Sequence, residues 1–233
     1  MVREAIDTRP MRDSAGKRLA WVVLGVAAVG VLIGFYLVNW VTTGPKPLTP
    51  QTSGKDVNLV IQTVAAVGPT LSPHANWVSY LVQDPNTKKW TRTTVWKLPA
   101  NATVHVTIFN FDGASGLRNP IFSRPQGVVG DQMVVDGKTL DALAPEDASH
   151  TFAVPQLGIV IPVAPVGDDA PNQCDYAPCG MDKAHRTIKF TFHTGQPGHY
   201  EWQCFVPCAA GWEDGFGGPM QTLGYMDGFL DVV

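Results

Sequence analysis

From Leu19 to Trp40 the chain carries no charged side chain, a run of 22 residues. As a helix rising ~1.5 Å per residue it is about 33 Å long, enough to cross the hydrocarbon core of a bilayer. A cleaved signal peptide has an apolar region of roughly 7–15 residues ahead of a small-residue cleavage site. This run is longer, and Val41-Thr42-Thr43-Gly44 is a poor cleavage site, so the segment reads as a retained signal anchor. Arg3, Arg9, Arg12, Lys17 and Arg18 precede it, whereas only Lys46 and Lys55 follow closely. Positive-inside logic then puts the N-terminus in the cytoplasm and the rest outside, a layout that the plasma membrane of a prokaryote fits best. Trp21 at one end, and Tyr36 and Trp40 at the other, suit the two interfaces. Gly30 and Gly34 have the spacing of a small-residue contact with a neighbouring membrane helix. The expected layout is a tail over residues 1–18, a span over 19–41, a Pro/Thr/Gly/Ser-rich linker over 42–55 and one domain over 56–233.

The net charge of −3 divides unevenly: residues 1–40 hold five basic and three acidic side chains, which leaves the outer part at −5. An acidic domain argues against nucleic acid or anionic lipid as a partner and tolerates a basic soluble electron carrier. Ordinary solubility accounts for the same charge.

Beyond the linker the apolar periodicity is two. Val57, Leu59 and Ile61 alternate with polar residues, and so do Val104, Val106 and Ile108, then Ile188, Phe190 and Phe192, then Tyr200, Trp202 and Cys204. Such alternation marks strands with one buried face. Asp136-Gly137, between Val134-Val135 and Lys138-Thr139, is a tight-hairpin signature. With no amphipathic helical stretch, the domain is predicted to be an all-β sandwich, elaborated at about 112–147 and 163–186. There is no Walker or Rossmann glycine loop and no nucleophile elbow, so the chain is not expected to be catalytic by itself.

All four cysteines lie outside, where pairing is the default. Cys174 and Cys179 sit among Pro, Gly, Asp and Asn, and a local disulfide stapling that loop is expected. Pairing with the Cys204 loop is the alternative, and a zinc site with His185 lacks an evident fourth ligand. His105, His193 and His199 read as surface residues, Trp202 as core, and Asn101-Ala102-Thr103 matches a glycosylation sequon.

Two further segments carry a family likeness. One is Ser149-His150-Thr151-Phe152-Ala153-Val154-Pro155-Gln156-Leu157-Gly158-Ile159. The other runs from Phe190-Thr191-Phe192 through Gly198-His199-Tyr200 to Gln203-Cys204-Phe205-Val206-Pro207-Cys208. With the closing Met226-Asp227-Gly228-Phe229-Leu230-Asp231-Val232, they resemble, in order, the outer domain of haem-copper oxidase subunit II, a cupredoxin-like Greek-key sandwich. The resemblance implies a copper site held by His150, Cys204 and Cys208, with Met226 as thioether, Met220 competing for that role, and the Val206 carbonyl as backbone ligand. It also implies electron transfer within a respiratory complex and membrane-embedded oxidase subunits as partners.

The chain departs from the family at the second histidine. The corresponding position is Trp212, that of the family's methionine is Gly215, and no histidine follows His199. The family's tryptophan-rich docking segment is also missing near Val57–Val67, with Trp77 the nearest candidate in a different context. Two other readings therefore stand beside electron transfer. One is a metal-free structural subunit with a Cys204–Cys208 disulfide. The other is copper storage or delivery by soft ligands that bind Cu(I) reversibly.

Overall fold

The computed structural model describes residues 9–38, 46–71, 75–116, 118–208 and 218–233, with two compact units, Met1–Gly44 and Pro45–Val233.

In the first unit, helix α1 spans Arg9–Tyr36, and its Gly16–Tyr36 portion is long and apolar enough to cross a membrane. A helix is the form such a segment takes in lipid, because every backbone group is satisfied within the segment. Its large apolar side chains, Trp21, Leu24, Leu32 and Phe35 among them, are exposed. The helix begins at Arg9, so part of the expected polar tail is helical. Trp40 lies outside the described residues.

The second unit is built of strands joined by turns and short 3-10 segments. The strands are β1 (Gln51–Ser53), β2 (Asp56–Val64), β3 (Ser79–Gln83), β4 (Trp90–Thr91), β5 (Val95–Leu98), β6 (Thr103–Asn110) and β7 (Met133–Val135). They continue with β8 (Lys138–Leu140), β9 (His150–Val154), β10 (Ile159–Val163), β11 (Arg186–His193), β12 (Gly198–Gln203) and β13 (Asp227–Val232). One sheet has the order β4-β3-β2-β6-β11-β7-β8, with β1 added beside β2, and the other has the order β10-β9-β12-β13-β5. The pairs β2–β6 and β5–β13 are parallel, and the other pairings within the two sheets are antiparallel.

The alternating runs do what their period requires. Val104, Val106 and Ile108 of β6 face inward beside Ile188, Phe190 and Phe192 of β11, while His105 and His193 point to solvent. The inner faces of both sheets share one core, in which the Trp202 and Trp96 rings stack at 4.9 Å and Phe152 lies 5.5 Å from Trp202. Burying a large aromatic side chain contributes on the order of 2–3 kcal/mol. Both indole N–H groups remain bonded, Trp96 to the Thr93 carbonyl and Trp202 to the Thr94 carbonyl, each at 2.9 Å. Thr94 also accepts from Phe229 N–H, and a Cβ on Gly228 would overlap its carbonyl. The backbones of β13 and Thr94 approach that closely only because residue 228 has no side chain.

The 112–147 stretch is not wholly an elaboration. Its Asp136-Gly137 turn closes the β7–β8 hairpin with both residues at positive φ, 47° and 81°. β7 then pairs with β11 and extends the larger sheet. Within 163–186, Cys174 and Cys179 are joined in a disulfide. Gln62 of β2 is fully buried and clasps the Cys179 backbone both ways, Nε2 donating to the carbonyl at 2.7 Å and Oε1 accepting from N–H at 3.1 Å.

Candidate metal centre

Three neighbouring strands of the smaller sheet bring the sequence-predicted residues together. Gln203, the last residue of β12, pairs with Ala153 of β9 on one side and Asp227 of β13 on the other. Cys204 therefore leaves β12 beside the head of β9, which begins at His150. Met226 immediately precedes β13, and its carbonyl accepts from Cys204 N–H at 2.9 Å.

His150, Cys204 and Cys208 are buried, and their ligating atoms all lie within 4.8 Å of one another. Both cysteines are free thiols, with Sγ atoms 3.2 Å apart. His150 Nδ1 lies 3.1 Å from Cys208 Sγ, and its Nε2 lies 3.1 Å from Asp112 Oδ2. Thr151 N–H points at Cys204 Sγ at 3.3 Å, and the thiol of Cys204 is 3.5 Å from the Val206 carbonyl. The Thr151 hydroxyl accepts from Phe205 N–H at 2.7 Å, which ties the turn after Cys204 to β9.

Asp112, just beyond β6, is an addition that the sequence did not single out. Asn110 holds the segment, donating to the carbonyls of Asp112 at 2.9 Å and Ala164 at 2.8 Å, while its Oδ1 accepts from Thr63 at 2.5 Å. Nothing in the local pattern around residue 112 signals the role; the contact comes from the packing of one sheet on the other. Thr151 was legible only as the residue after the motif histidine.

The electrostatics follow from burial and from these contacts. Burial works to lower the His150 pKa, but the Asp112 carboxylate and Cys204 raise it to about 9. Burial raises the Cys204 value, yet hydrogen bonds from Cys208 and His150 hold it well below the ordinary thiol range. Cys208 moves the other way, raised by its hydrogen bond to Cys204 and by burial. The pair thus gives up one proton readily and keeps the second, as two close thiols beside an imidazole must. Tyr80, whose hydroxyl donates to the Thr151 carbonyl at 2.9 Å, is raised by burial and then by both cysteines.

Of the two methionines, Met226 is fully buried in the shared core. Met220 is half-buried against that core, and its carbonyl accepts from Gln203 at 2.5 Å. The Cys174–Cys179 bond removes both alternatives for those cysteines, because neither has a thiolate left for zinc or for the Cys204 loop. His185 instead packs its ring on Phe109 and Phe111 and bonds the Lys183 carbonyl. Trp212 and Gly215 lie outside the described residues.

A cleft of about 350 Å³ descends to His150, Cys208 and Asp112, with Trp77 on its wall. The Trp77 ring lies 5.0 Å from that of Tyr225, over which the Arg92 guanidinium sits at 4.2 Å.

No family model matches the chain. No curated protein matches it either. Among solved structures it is similar to the copper protein rusticyanin, at 22% identity over 82% of this chain and 87% of that one, with a TM-score of 0.33. Rusticyanin from Thiobacillus ferrooxidans gives 22% identity, 82% and 86% coverage and a TM-score of 0.31. A chain of a haem-copper terminal oxidase dimer gives 13% identity, 95% and 99% coverage and a TM-score of 0.29. The fold rests on the two sheets themselves rather than on these likenesses. One apolar helix precedes a mostly β domain of two sheets, with a histidine heading one strand and two cysteines following its neighbour.

Proposed function

We propose that this chain is a membrane-anchored copper protein of electron transfer, working as a subunit II-like component of a respiratory complex. The observation that carries the reading is the buried convergence of His150, Cys204 and Cys208 within 4.8 Å. Two thiols and an imidazole are a soft-to-borderline donor set that suits copper, and their seclusion from water suits a centre that changes charge with little rearrangement. Copper, when bound, supplies a one-electron couple. His150, Cys204 and Cys208 would hold it, with Met226 or Met220 as thioether and the Val206 carbonyl within reach of the sulfur side. Asp112 orients His150, and Thr151 N–H stabilises the Cys204 sulfur. In this reading residues 1–18 are cytoplasmic, 19–41 span the plasma membrane of a prokaryote, 42–55 tether, and 56–233 work outside. Oxidase subunits in the same membrane and a basic soluble carrier are the partners that fit.

The test uses the full-length chain in detergent, reduced and then given copper. Thiolate-to-copper charge-transfer bands, with hyperfine structure reporting one or two coppers, are the expected result. Tightly bound copper with a silent spectrum would favour storage or delivery of Cu(I).

A second reading has its own observation: the two Sγ atoms already lie 3.2 Å apart, so a disulfide needs little motion in an oxidising compartment. The domain would then be a metal-free structural subunit. Mass spectrometry of the membrane-extracted chain separates the two, since alkylatable, metal-protected thiols oppose the disulfide.

A further inference from the structure

We propose that the outward face of the larger sheet carries a surface site for a borderline divalent cation of the zinc class, held by Asp56, His105 and His193. The inference is independent of the copper reading. These residues stand on the solvent side of the sheet, and the buried His150, Cys204 and Cys208 take no part in it.

The strand register sets the geometry. β2 runs parallel to β6 with Asp56 opposite Thr103, and β11 runs antiparallel along the other side of β6 with His193 opposite the same Thr103. His105 stands two residues along β6, so its side chain leaves the same face. Asp56, His105 and His193 are exposed, while Val57, Val104 and Phe192 beside them turn into the core. The short, half-buried Thr103 thus has a donor on each flank and a third ahead of it. Neighbouring strands lie ~4.8 Å apart and alternate residues of one strand about 6.7 Å apart. Three longer side chains at those spacings can meet on one ion above Thr103.

The contacts already made prepare the donors. His105 Nδ1 lies 3.1 Å from the Thr191 hydroxyl, which holds the ring by one nitrogen and leaves Nε2 for a ligand, as in histidines that bind metals. That Nε2 is 3.7 Å from Asp56 Oδ1. The gap is too long for a charge-assisted hydrogen bond, so the carboxylate is not committed to the ring. It is, however, close to the separation of about 3.4 Å that a tetrahedral ion with ligands at ~2.0–2.2 Å imposes on two donors. His193 Nδ1 is 3.4 Å from the Thr103 hydroxyl, a weak tether that lets this exposed ring swing toward the ion. Two imidazoles and one carboxylate suit zinc or Cu(II), whereas magnesium and calcium take oxygen ligands. Three protein donors leave a fourth position to water.

The experiment titrates zinc, and separately magnesium, into the 15N-labelled full-length chain in detergent and follows the ring nitrogens of His105 and His193 by NMR. Expected is a saturable shift of both rings with one shared zinc midpoint, and no shift with magnesium at the same concentrations. His105→Ala and His193→Ala should each raise the midpoint read on the remaining ring at least about tenfold, and Asp56→Asn should raise it about three- to tenfold. All three positions are exposed, so these substitutions leave the fold intact. Rings unmoved up to about 1 mM zinc, separate midpoints for the two rings, an equal response to magnesium, or a midpoint on one ring indifferent to loss of the other would each overturn the site. None of these outcomes bears on the copper reading.

Discussion

Asp112 and His150 come from different sheets and meet through a 3.1 Å contact that leaves the other ring nitrogen facing Cys208. A carboxylate accepting from Nε2 fixes the ring's rotation and makes Nδ1 the better electron donor, the arrangement common to histidines that bind metals. Burial raises the Asp112 value, but the bonds from His150 and Gly113 N–H outweigh it, so the carboxylate stays ionised. Asp112→Ala should lower copper affinity about 10–100-fold. Asp112→Asn keeps an acceptor and should recover part of the loss. Competition with a Cu(I) chelator measures both, and unchanged affinity in the alanine variant would remove Asp112 from the site.

Cys204→Ser should abolish the charge-transfer band of the copper-loaded chain. Cys174→Ser, which touches only the loop disulfide, should leave it. Retained colour in the first variant, or lost colour in the second, would reassign the sulfur ligands.

Gly228→Ala, near the start of β13, places a methyl group against the Thr94 carbonyl. Overpacking of this kind costs about 1–3 kcal/mol, and backbone offers less relief than a side chain. A lowered thermal midpoint, read by circular dichroism, is expected. Because Thr94 also receives Trp202 and Phe229, the damage should extend to the near-ultraviolet signal of the stacked indoles.

Gln62→Ala strands the buried Cys179 N–H and carbonyl at once. Each orphaned group costs roughly 1–3 kcal/mol, so a loss of about 2 kcal/mol or more is expected in denaturant melts. Amide exchange should quicken at Cys179 and leave β9 and β12 unaffected.

Asp84 is half-buried, and the Thr87 and Asn86 N–H groups donate to it at 2.8 Å and hold its carboxyl below the usual carboxylate range. A depressed folded value means that its contribution is complete above the unfolded value. That contribution fades as pH falls through the folded one. Carboxyl-detected NMR should find the Asp84 midpoint below that of free aspartate, and Asp84→Asn should flatten stability in that acidic window.

The fold was legible where burial is one-sided. β2, β6 and β11 each alternate because solvent or a thin cover lies on one face, and the eye follows the period. β3 escaped because Ser79 to Val82 are all buried, so no alternation survives. Its polar members are satisfied internally, as when the Ser79 hydroxyl donates to the Gly224 carbonyl at 3.1 Å. Gln62 was opaque for a similar reason: a buried glutamine looks like a surface one until its distant backbone partner is known. At the site, His150, Cys204 and Cys208 stood out through the order of their motifs. Asp112 did not, since an aspartate at the start of a glycine-containing loop has many ordinary explanations.

The donors also differ in when they become available. Cys204 and Cys208 are four residues apart, while His150 lies 58 residues before Cys208. Only closure of β9 against β12 brings them together, and long-range strand pairing of that kind is slow. On the copper reading, a chain that met the metal before that closure would present a bare two-sulfur clip, with the imidazole joining it later. Timing alone would then let one sequence offer a metal two sets of donors, first an open dithiol and afterwards a secluded three-residue cluster.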